Sequence, residues 1–387
     1  MKVLVLTKRQ YMGKDLLDDR FGRFRELPLG LARLGHEVKG FTVSYRRREE
    51  SMSLDSDVSA NAGVTWHSIN FHNVFIPRLG KITRYAASLA ADFKPDLVWA
   101  GSDAYHAIFG AWLAKRIGTR CVIDLYDNFE SFPATQLPGV LSLFRRTVKE
   151  ADGVTCFSAR LADHVTRTHA RKKPTVVIEN GVRKDLFYPQ DRAECRQRLG
   201  LPQNVKLIGT AGALDRSRGI ETFFRAYERL AAEGNDPHLA FAGPRQRGLQ
   251  IPRGPTIHDF GVLPHEQVPV LINSLDLAVI CYRQSAQGEF SFPQKAYEII
   301  ASRVPFIAAA VGTMNELLRD CLDCLYEPEN PQSLADAARR QLKEQIIFDA
   351  EIPAWADSAR QLANFFEDVV WEDRRSTQSS SVSLSTR

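Results

Sequence analysis

Twice along the chain, six short apolar runs alternate with helical stretches, and no other feature restricts the fold as much. The first series is 2–7, 37–43, 96–100, 119–125, 153–157 and 174–179. The second follows Pro202, at 206–211, 238–242, 256–260, 276–281, 304–310 and 322–326. Helical stretches such as 107–116, 159–169, 220–233 and 266–274 lie between the runs. Alternation of this kind means parallel sheets with helices on both faces. The expected fold class is α/β, with two doubly wound, Rossmann-like domains. Ligands of such folds bind at the carboxyl ends of the strands, and in a pair of domains both ends can face one cleft. The expected domains are 1–189 and 190–353, joined near Tyr188–Pro202. A helix at 354–371 is expected to cross back to the first domain. From 372 the chain reads EDRRSTQSSSVSLSTR, a polar, Ser-rich tail expected to be disordered through 387.

Composition narrows the class further. The chain has 387 residues and is 44% hydrophobic, enough for sizeable cores in more than one domain. No apolar run reaches about 18 residues, so no membrane-spanning helix is expected. The N-terminus enters a strand directly, MKVLVLT, without a signal-peptide layout. A cytoplasmic location with reduced cysteines is therefore expected. Cys321 and Cys324 form a lone CxxC with no second pair and no nearby His, so no metal site is expected. Residues 1–190 carry 29 Lys and Arg against 20 Asp and Glu, whereas the remainder is net acidic. The basic half implies an anionic surface or substrate on that side. Three clusters stand out: Arg46–Arg48; Arg145, Arg146 and Lys149 beside Leu141, Leu143 and Phe144; and Arg78, Lys81 and Arg84 beside Phe75 and Ile76. Basic residues interleaved with large apolar ones suit the edge of an anionic bilayer, so peripheral contact with a membrane surface is expected. No nucleic-acid recognition motif accompanies the charge, and no nucleic-acid partner is expected.

Two segments carry chemistry. Residues 292–316 read FPQKAYEIIASRVPFIAAAVGTMNE, with Lys295 and Glu298 three apart on one helical face. Beyond a parallel strand, such a pair can meet a phosphate and a ribose diol together; the plain alternative is a surface helix with an internal ion pair. Residues 211–222 read AGALDRSRGIET, where a strand ends in a glycine loop and Arg218-Gly219 precedes a helix. A helix start with an arginine beside it suits an anion, although a glycine loop with solvated charge has the same appearance. After the strand at 174–179, Asn180-Gly181 marks a turn.

Together these segments resemble the retaining glycosyltransferases of family 4, which have the two-domain GT-B fold. VIENGV…LFYP is similar to the family's Asn-Gly linker and AGALDRSRG to its phosphate loop. FGVLPHEQVPVLINSLDLAVI is similar to its Gly-x-x-Pro-x-Glu block, FPQKAYEIIASRVPFIAAAVGTMNELL to its donor block, and FGRFRELPLGLARLGHEV to its first helix. The form Pro293-x-Lys295-x-x-Glu298 resembles members that build bacterial surface polysaccharides. The resemblance implies that Glu298 binds the ribose hydroxyls of a nucleotide-sugar. It implies that Arg218 and Lys295 neutralise the diphosphate as it leaves, which is electrostatic catalysis. Gly212, Gly312, Ser291 and Pro293 would complete the donor site. Gly22 would approach sugar or phosphates, and His106 would face the acceptor.

Departures from the family pattern shift some of these roles. Where the family has its first glutamate this chain has Phe290, with Glu289 next to it as the substitute for the donor-sugar contact. The phosphate-loop arginine falls at Ala213, leaving Arg216 as its substitute. A frequent histidine falls at Tyr126, flanked by Asp124 and Asp127, which are expected to bind acceptor hydroxyls. Family members hold the diphosphate without a divalent ion, so no cofactor or metal is expected. The expected activity is transfer of a hexose, with retention of anomeric configuration, to a saccharide or lipid-linked saccharide at the inner membrane face. Two alternatives are a GT-B-fold nucleotide-sugar epimerase, which needs no acceptor, and a catalytically inactive homologue that only binds.

Overall fold

The structure, a computed structural model, describes all residues except 12–13, 47–49, 58–59, 72–74, 235–236, 291 and 383–387. Arg47 and Arg48 of the first basic cluster, and Ser291 of the expected donor site, lie outside the described residues.

The chain divides into two compact units, Met1–Gly181 with Trp355–Arg387, and Val182–Ala354. In the first unit the strands are β1 (Lys2–Lys8), β2 (Gln10–Tyr11), β3 (Lys14–Asp15), β4 (Glu37–Ser44), β5 (Ser51–Asp57), β6 (Ala62–Asn70), β7 (Leu97–Gly101), β8 (Arg120–Leu125), β9 (Gly153–Cys156) and β10 (Thr175–Val177). Its main sheet has the order β10-β9-β8-β7-β1-β4-β6-β5. Every neighbouring pair is parallel except β5 with β6. Strands β2 and β3 form a separate small hairpin. Six of these strands are the apolar runs of the first series. The two added strands, β5 and β6, have a different pattern: Ser51–Asp57 is mostly polar at the sheet edge, and Ala62–Asn70 alternates.

The second unit contains β11 (Leu207–Ala211), β12 (His238–Ala242), β13 (Ile257–Asp259), β14 (Leu277–Ile280), β15 (Phe306–Ala309) and β16 (Leu325–Tyr326), ordered β13-β12-β11-β14-β15-β16. All of its pairs are parallel. The strand cores are nearly continuous Leu, Ile, Val, Ala and Phe, as sheets covered on both faces require.

The units divide at Gly181/Val182, ahead of the expected 189/190. Val182 and Phe187 are buried in the core of the second unit, and the Val182 amide donates to Pro353 O at 2.9 Å. The final helix, Trp355–Val382, belongs to the first unit, where Ala359, Leu362 and Phe366 share a core with Phe24, Leu27 and Trp99. It continues to Val382, past the position 372 at which a disordered tail is expected. The chain from 355 to 382 has neither Gly nor Pro to stop it. Cys321 and Cys324 are joined in a disulfide rather than held as two thiols, while Cys121, Cys156, Cys195 and Cys281 are free. No helix among the described residues is long and apolar enough to cross a membrane.

Candidate active site

In each sheet the strand order reverses beside its first strand, between β1 and β7 and between β11 and β14. Carboxyl ends of strands at such a switch leave a crevice for ligands. Both switch points carry charged side chains.

At the switch of the second unit, Gly212 follows β11 and Cys281 follows β14, and Lys295 reaches both. Gly212 has φ +121°, and a Cβ there would lie 2.6 Å from Lys295 Nζ, so only glycine admits the ammonium against this backbone. Lys295 and Glu298 lie in helix Gln294–Ala301, which Pro293 starts. Burial, then the charge of Arg218, push the Lys295 pKa down to about 8, against Cys281 and Glu298. Burial pushes the Glu298 carboxyl up to about 7, against Gln294 and Lys295. Gln294 Nε2 donates to Glu298 Oε1 at 3.5 Å. The simple intrahelical pair is absent: among the described residues Lys295 and Glu298 form no ion pair. Arg218 closes a short turn, Arg216–Arg218, capped by Asp215, whose side chain accepts from the Ser217 amide. Its guanidinium likewise has no ion pair among the described residues. Arg218 lies near enough for its charge to act on Lys295, and neither cation is in an ion pair among the described residues, which leaves positive charge that an anion can fill.

The other expected donor residues are distributed around this centre. Gly312, with φ +52°, starts helix Thr313–Leu317, and a Cβ there would lie 2.8 Å from both Glu289 C and Gly288 O. The backbone at Glu289, in helix Ala286–Phe290, is thus brought against Gly312. Thr313 Oγ1 is buried with no hydrogen-bond partner among the described residues; no local sequence signal points to it. Arg216 does not join the cluster. Its Nε pairs with Glu221 at 2.9 Å and its Nη2 donates to Gly248 O at 2.7 Å, so the guanidinium that was to replace the phosphate-loop arginine is held elsewhere.

The first unit's switch is built differently from expectation. Asp124 is fully buried at the end of β8. Arg23 Nε and Nη2 donate to its two oxygens at 2.8–3.1 Å, and Thr155 Oγ1 donates at 2.6 Å. Arg23 also donates to Ile178 O and Asn180 Oδ1. A carboxylate so occupied has no room for acceptor hydroxyls; it ties the Asn-Gly turn to the first helix. Removing one partner of a buried pair leaves an uncompensated charge and costs about 3–5 kcal/mol. Asp124→Ala is therefore expected to lower the chemical-denaturation midpoint strongly. A variant as stable as wild type would return Asp124 to the list of binding residues.

His106 is 4% exposed and its Nδ1 lies 2.8 Å from Asp103 Oδ1. It serves as a helix-start histidine rather than an acceptor-facing one, because Asp103 caps helix Ala104–Ile117 through the His106 amide. Burial pushes Asp103 up, but His106 and Lys8, 3.8 Å away, outweigh it and hold the carboxyl at about 2. Ser102, with φ +87°, precedes it; its hydroxyl accepts from the Lys8 amide and its carbonyl from the Tyr126 hydroxyl at 3.0 Å. A non-glycine residue held at this φ is strained, and such strain concentrates at functional sites. Lys8, Ser102 and Asp103 are the polar groups at this switch that sequence reasoning missed. The Asp103 cap was readable from S-D-A-Y-H; Lys8, a strand-end lysine, had no local signal. Gly22 starts helix Arg23–Arg33, and Asp127 Oδ1 accepts from the Asn128 amide at 2.7 Å.

The two halves match known families in sequence. Residues 23–181 match the glycosyl transferase 4-like domain, and residues 205–344 match the glycosyl transferases group 1 domain. Together they span more than three quarters of the chain. A similar curated protein is the putative teichuronic acid biosynthesis glycosyltransferase TuaC of Bacillus subtilis, 28% identical over 66% of this chain and 63% of that protein. Another is D-inositol 3-phosphate glycosyltransferase of Corynebacterium aurimucosum, 26% identical over 88% of each. The chain spans about half to two thirds of the length of the first curated relatives it matches. Among solved structures, sucrose-phosphate synthase from Thermosynechococcus elongatus superposes with TM-score 0.68 at 16% identity, over 99% of both chains. Anabaena HepE in complex with UDP-glucose superposes with TM-score 0.65 at 17% identity, over 98% of this chain and 100% of that one. These structures share the GT-B fold of two parallel-sheet α/β domains. With its first half matching the 4-like domain and its second half the group 1 domain, the chain belongs to the GT-B glycosyltransferases.

Proposed function

We propose that the chain moves a hexose from a nucleotide-diphosphate sugar to a saccharide or lipid-linked saccharide, with retention of anomeric configuration, in polysaccharide or glycoconjugate synthesis. The observation that carries this reading is the pair of cations, Arg218 and Lys295, beside Glu298 at the switch point of the second sheet. The UDP-glucose complex of HepE and the teichuronic acid assignment of TuaC support the donor class and the pathway class.

In this reading the diphosphate lies against Gly212, between Arg218 and Lys295. The cations gain most when negative charge builds on the leaving diphosphate, so they stabilise the transition state more than the ground state. No divalent ion is proposed, because these side chains supply the charge. Glu298, as a carboxylate, accepts from the two ribose hydroxyls. Donor binding brings an anion to Lys295 and raises its pKa, so the ammonium is retained through turnover. The Gly312 amide and Thr313 Oγ1 face the donor sugar and phosphates. Acceptor groups come from the first unit, at the Lys8, Ser102 and Tyr126 end of its sheet. The acceptor is placed at a membrane surface, with the protein held there peripherally.

The test is a panel of nucleotide-sugars with saccharide acceptors, followed by proton NMR of the anomeric signals. Consumption that needs an acceptor and keeps the anomeric configuration is expected. Acceptor-independent conversion of the donor into an isomer would establish an epimerase instead.

A further inference from the structure

Four neighbouring parallel strands of the first sheet, in the order β7-β1-β4-β6, end side by side. Lys8 is the last residue of β1, Tyr45 follows β4, and Phe71 follows β6. Asp103 and His106 begin the helix after β7. The Tyr45 and His106 rings form a T with centroids 6.1 Å apart, and Phe71 is tilted against Tyr45 at 5.6 Å. The Tyr45 backbone is fixed as well, because its amide donates to Gln10 Oε1 at 3.1 Å. Tyr45 is nevertheless 51% exposed, and its hydroxyl has no hydrogen-bond partner among the described residues.

A single exposed aromatic is ordinary on a protein surface. Tyr45 differs because of the ion pair beyond His106. Lys8 Nζ and Asp103 Oδ2 are 3.8 Å apart, and their side chains are only 19% and 13% exposed. That gap is too long for a hydrogen bond, and neither atom has another partner among the described residues. Asp103 Oδ1 is already taken, by the His106 amide at 2.9 Å and the His106 Nδ1 at 2.8 Å. Ser102 holds the pair in place, since it precedes Asp103 and its hydroxyl accepts from the Lys8 amide at 2.8 Å. Burial works against charge on Asp103, yet His106 and Lys8 hold its pKa at about 2, so Oδ2 only accepts. A hydroxyl suits the gap, because it accepts from an ammonium and donates to a carboxylate at once. An anionic group does not, because Asp103 cancels the charge of Lys8 and repels a second anion.

We propose that Tyr45 stacks under a neutral pyranose of the acceptor, one hydroxyl of which bridges Lys8 and Asp103. The inference rests on the saccharide acceptor proposed above and narrows it to an uncharged sugar at this subsite. A pyranose carries C–H bonds on its faces and hydroxyls around its rim. The C–H bonds meet the negative face of the phenol ring, while a rim hydroxyl reaches the ion pair and takes the place that water otherwise has.

The test uses the full chain and four probes: methyl glucoside, methyl galactoside, methyl N-acetylglucosaminide and methyl glucuronide. Saturation-transfer NMR reads which sugar protons touch the protein. The C–H protons on one face of a neutral glycoside should give the strongest signals, and Tyr45→Ala should abolish them with the circular dichroism spectrum unchanged. In transfer to the glycoside that binds, Tyr45→Ala and Lys8→Met should each raise the KM for that sugar by about tenfold, more than they lower kcat. Tyr45→Phe, which restores the ring, should bring that KM back to within about threefold of wild type. Preference for the glucuronide, signals that survive Tyr45→Ala, a KM that neither variant moves, or no signal from any of the four probes overturns the proposal. Acceptor-dependent transfer that persists alongside such a result leaves the glycosyltransferase reading standing, whereas conversion of the donor to an isomer without acceptor removes both.

Discussion

Lys295→Met is expected to lower kcat/KM for the nucleotide-sugar by about 10²–10³-fold, the loss typical when one preorganised charge on a transition-state anion is removed. The same substitution should make the free protein more stable. Burial and Arg218 depress the Lys295 pKa from its ordinary 10.5 to about 8. A base with a depressed folded pKa destabilises the fold fully below about pH 8, and the penalty fades as pH rises towards 10.5. At pH 7 the variant should therefore gain on the order of 1–3 kcal/mol, since each pKa unit corresponds to about 1.4 kcal/mol. Urea titration against steady-state kinetics reads both effects. A variant that loses stability and activity together would make Lys295 a structural residue.

Glu298→Gln is the second large effect, with the opposite pH sense. Burial raises the carboxyl from 4.5 to about 7. The folded state therefore holds a proton that the unfolded state has released, and stability falls as pH rises from about 4.5 to 7. Above pH 7 the penalty is complete. The glutamine variant should match wild type near pH 4.5 and exceed it at pH 8, again by about 1–3 kcal/mol. Its affinity for nucleotide should fall by about 1–3 kcal/mol, the loss typical of hydrogen bonds to a charged group. Kinetics on wild type complete the picture: kcat/KM should rise through pH 7 as Glu298 ionises and fall above about pH 8 as Lys295 loses its proton. A flat profile from pH 6 to 9 would remove both groups from the rate. That both positions oppose folding is the expected signature of residues kept for binding.

How much of this was legible in the sequence depended on whether the signal was local. Strands such as Leu277–Ile280 and Phe306–Ala309 are continuous apolar runs buried on both faces, and these were readable at once. Ser51–Asp57 was not, because it is a sheet-edge strand with only Met52 and Leu54 as large apolar residues, and both face out. At the switch point of the second sheet, Lys295 and Glu298 were readable as neighbours from helical spacing and Arg218 as a turn residue from its glycine loop. Arg216 looked equivalent to Arg218 in sequence, and only the position of Glu221 and the Gly248 carbonyl separates them. Asp124 was misread for a similar reason. A strand-end carboxylate resembles a ligand-binding group until its partner is known, and Arg23 lies 101 positions away. The extent of the last helix was governed by an absence, the lack of any breaker after Ala354, which Ser-rich composition obscured.

The role proposed for Arg218 and Lys295 is to hold a diphosphate. It is tested most directly by calorimetric titration of a nucleoside diphosphate and the matching monophosphate, UDP and UMP first, into wild type and into the double variant Arg218→Ala, Lys295→Met. Wild type should bind the diphosphate at least tenfold more tightly than the monophosphate, and the double variant should bind the two within about twofold, because a charged hydrogen bond contributes about 1.5–3 kcal/mol. A double variant that keeps the full preference for the diphosphate would contradict the assignment and place the phosphate site elsewhere in the second unit.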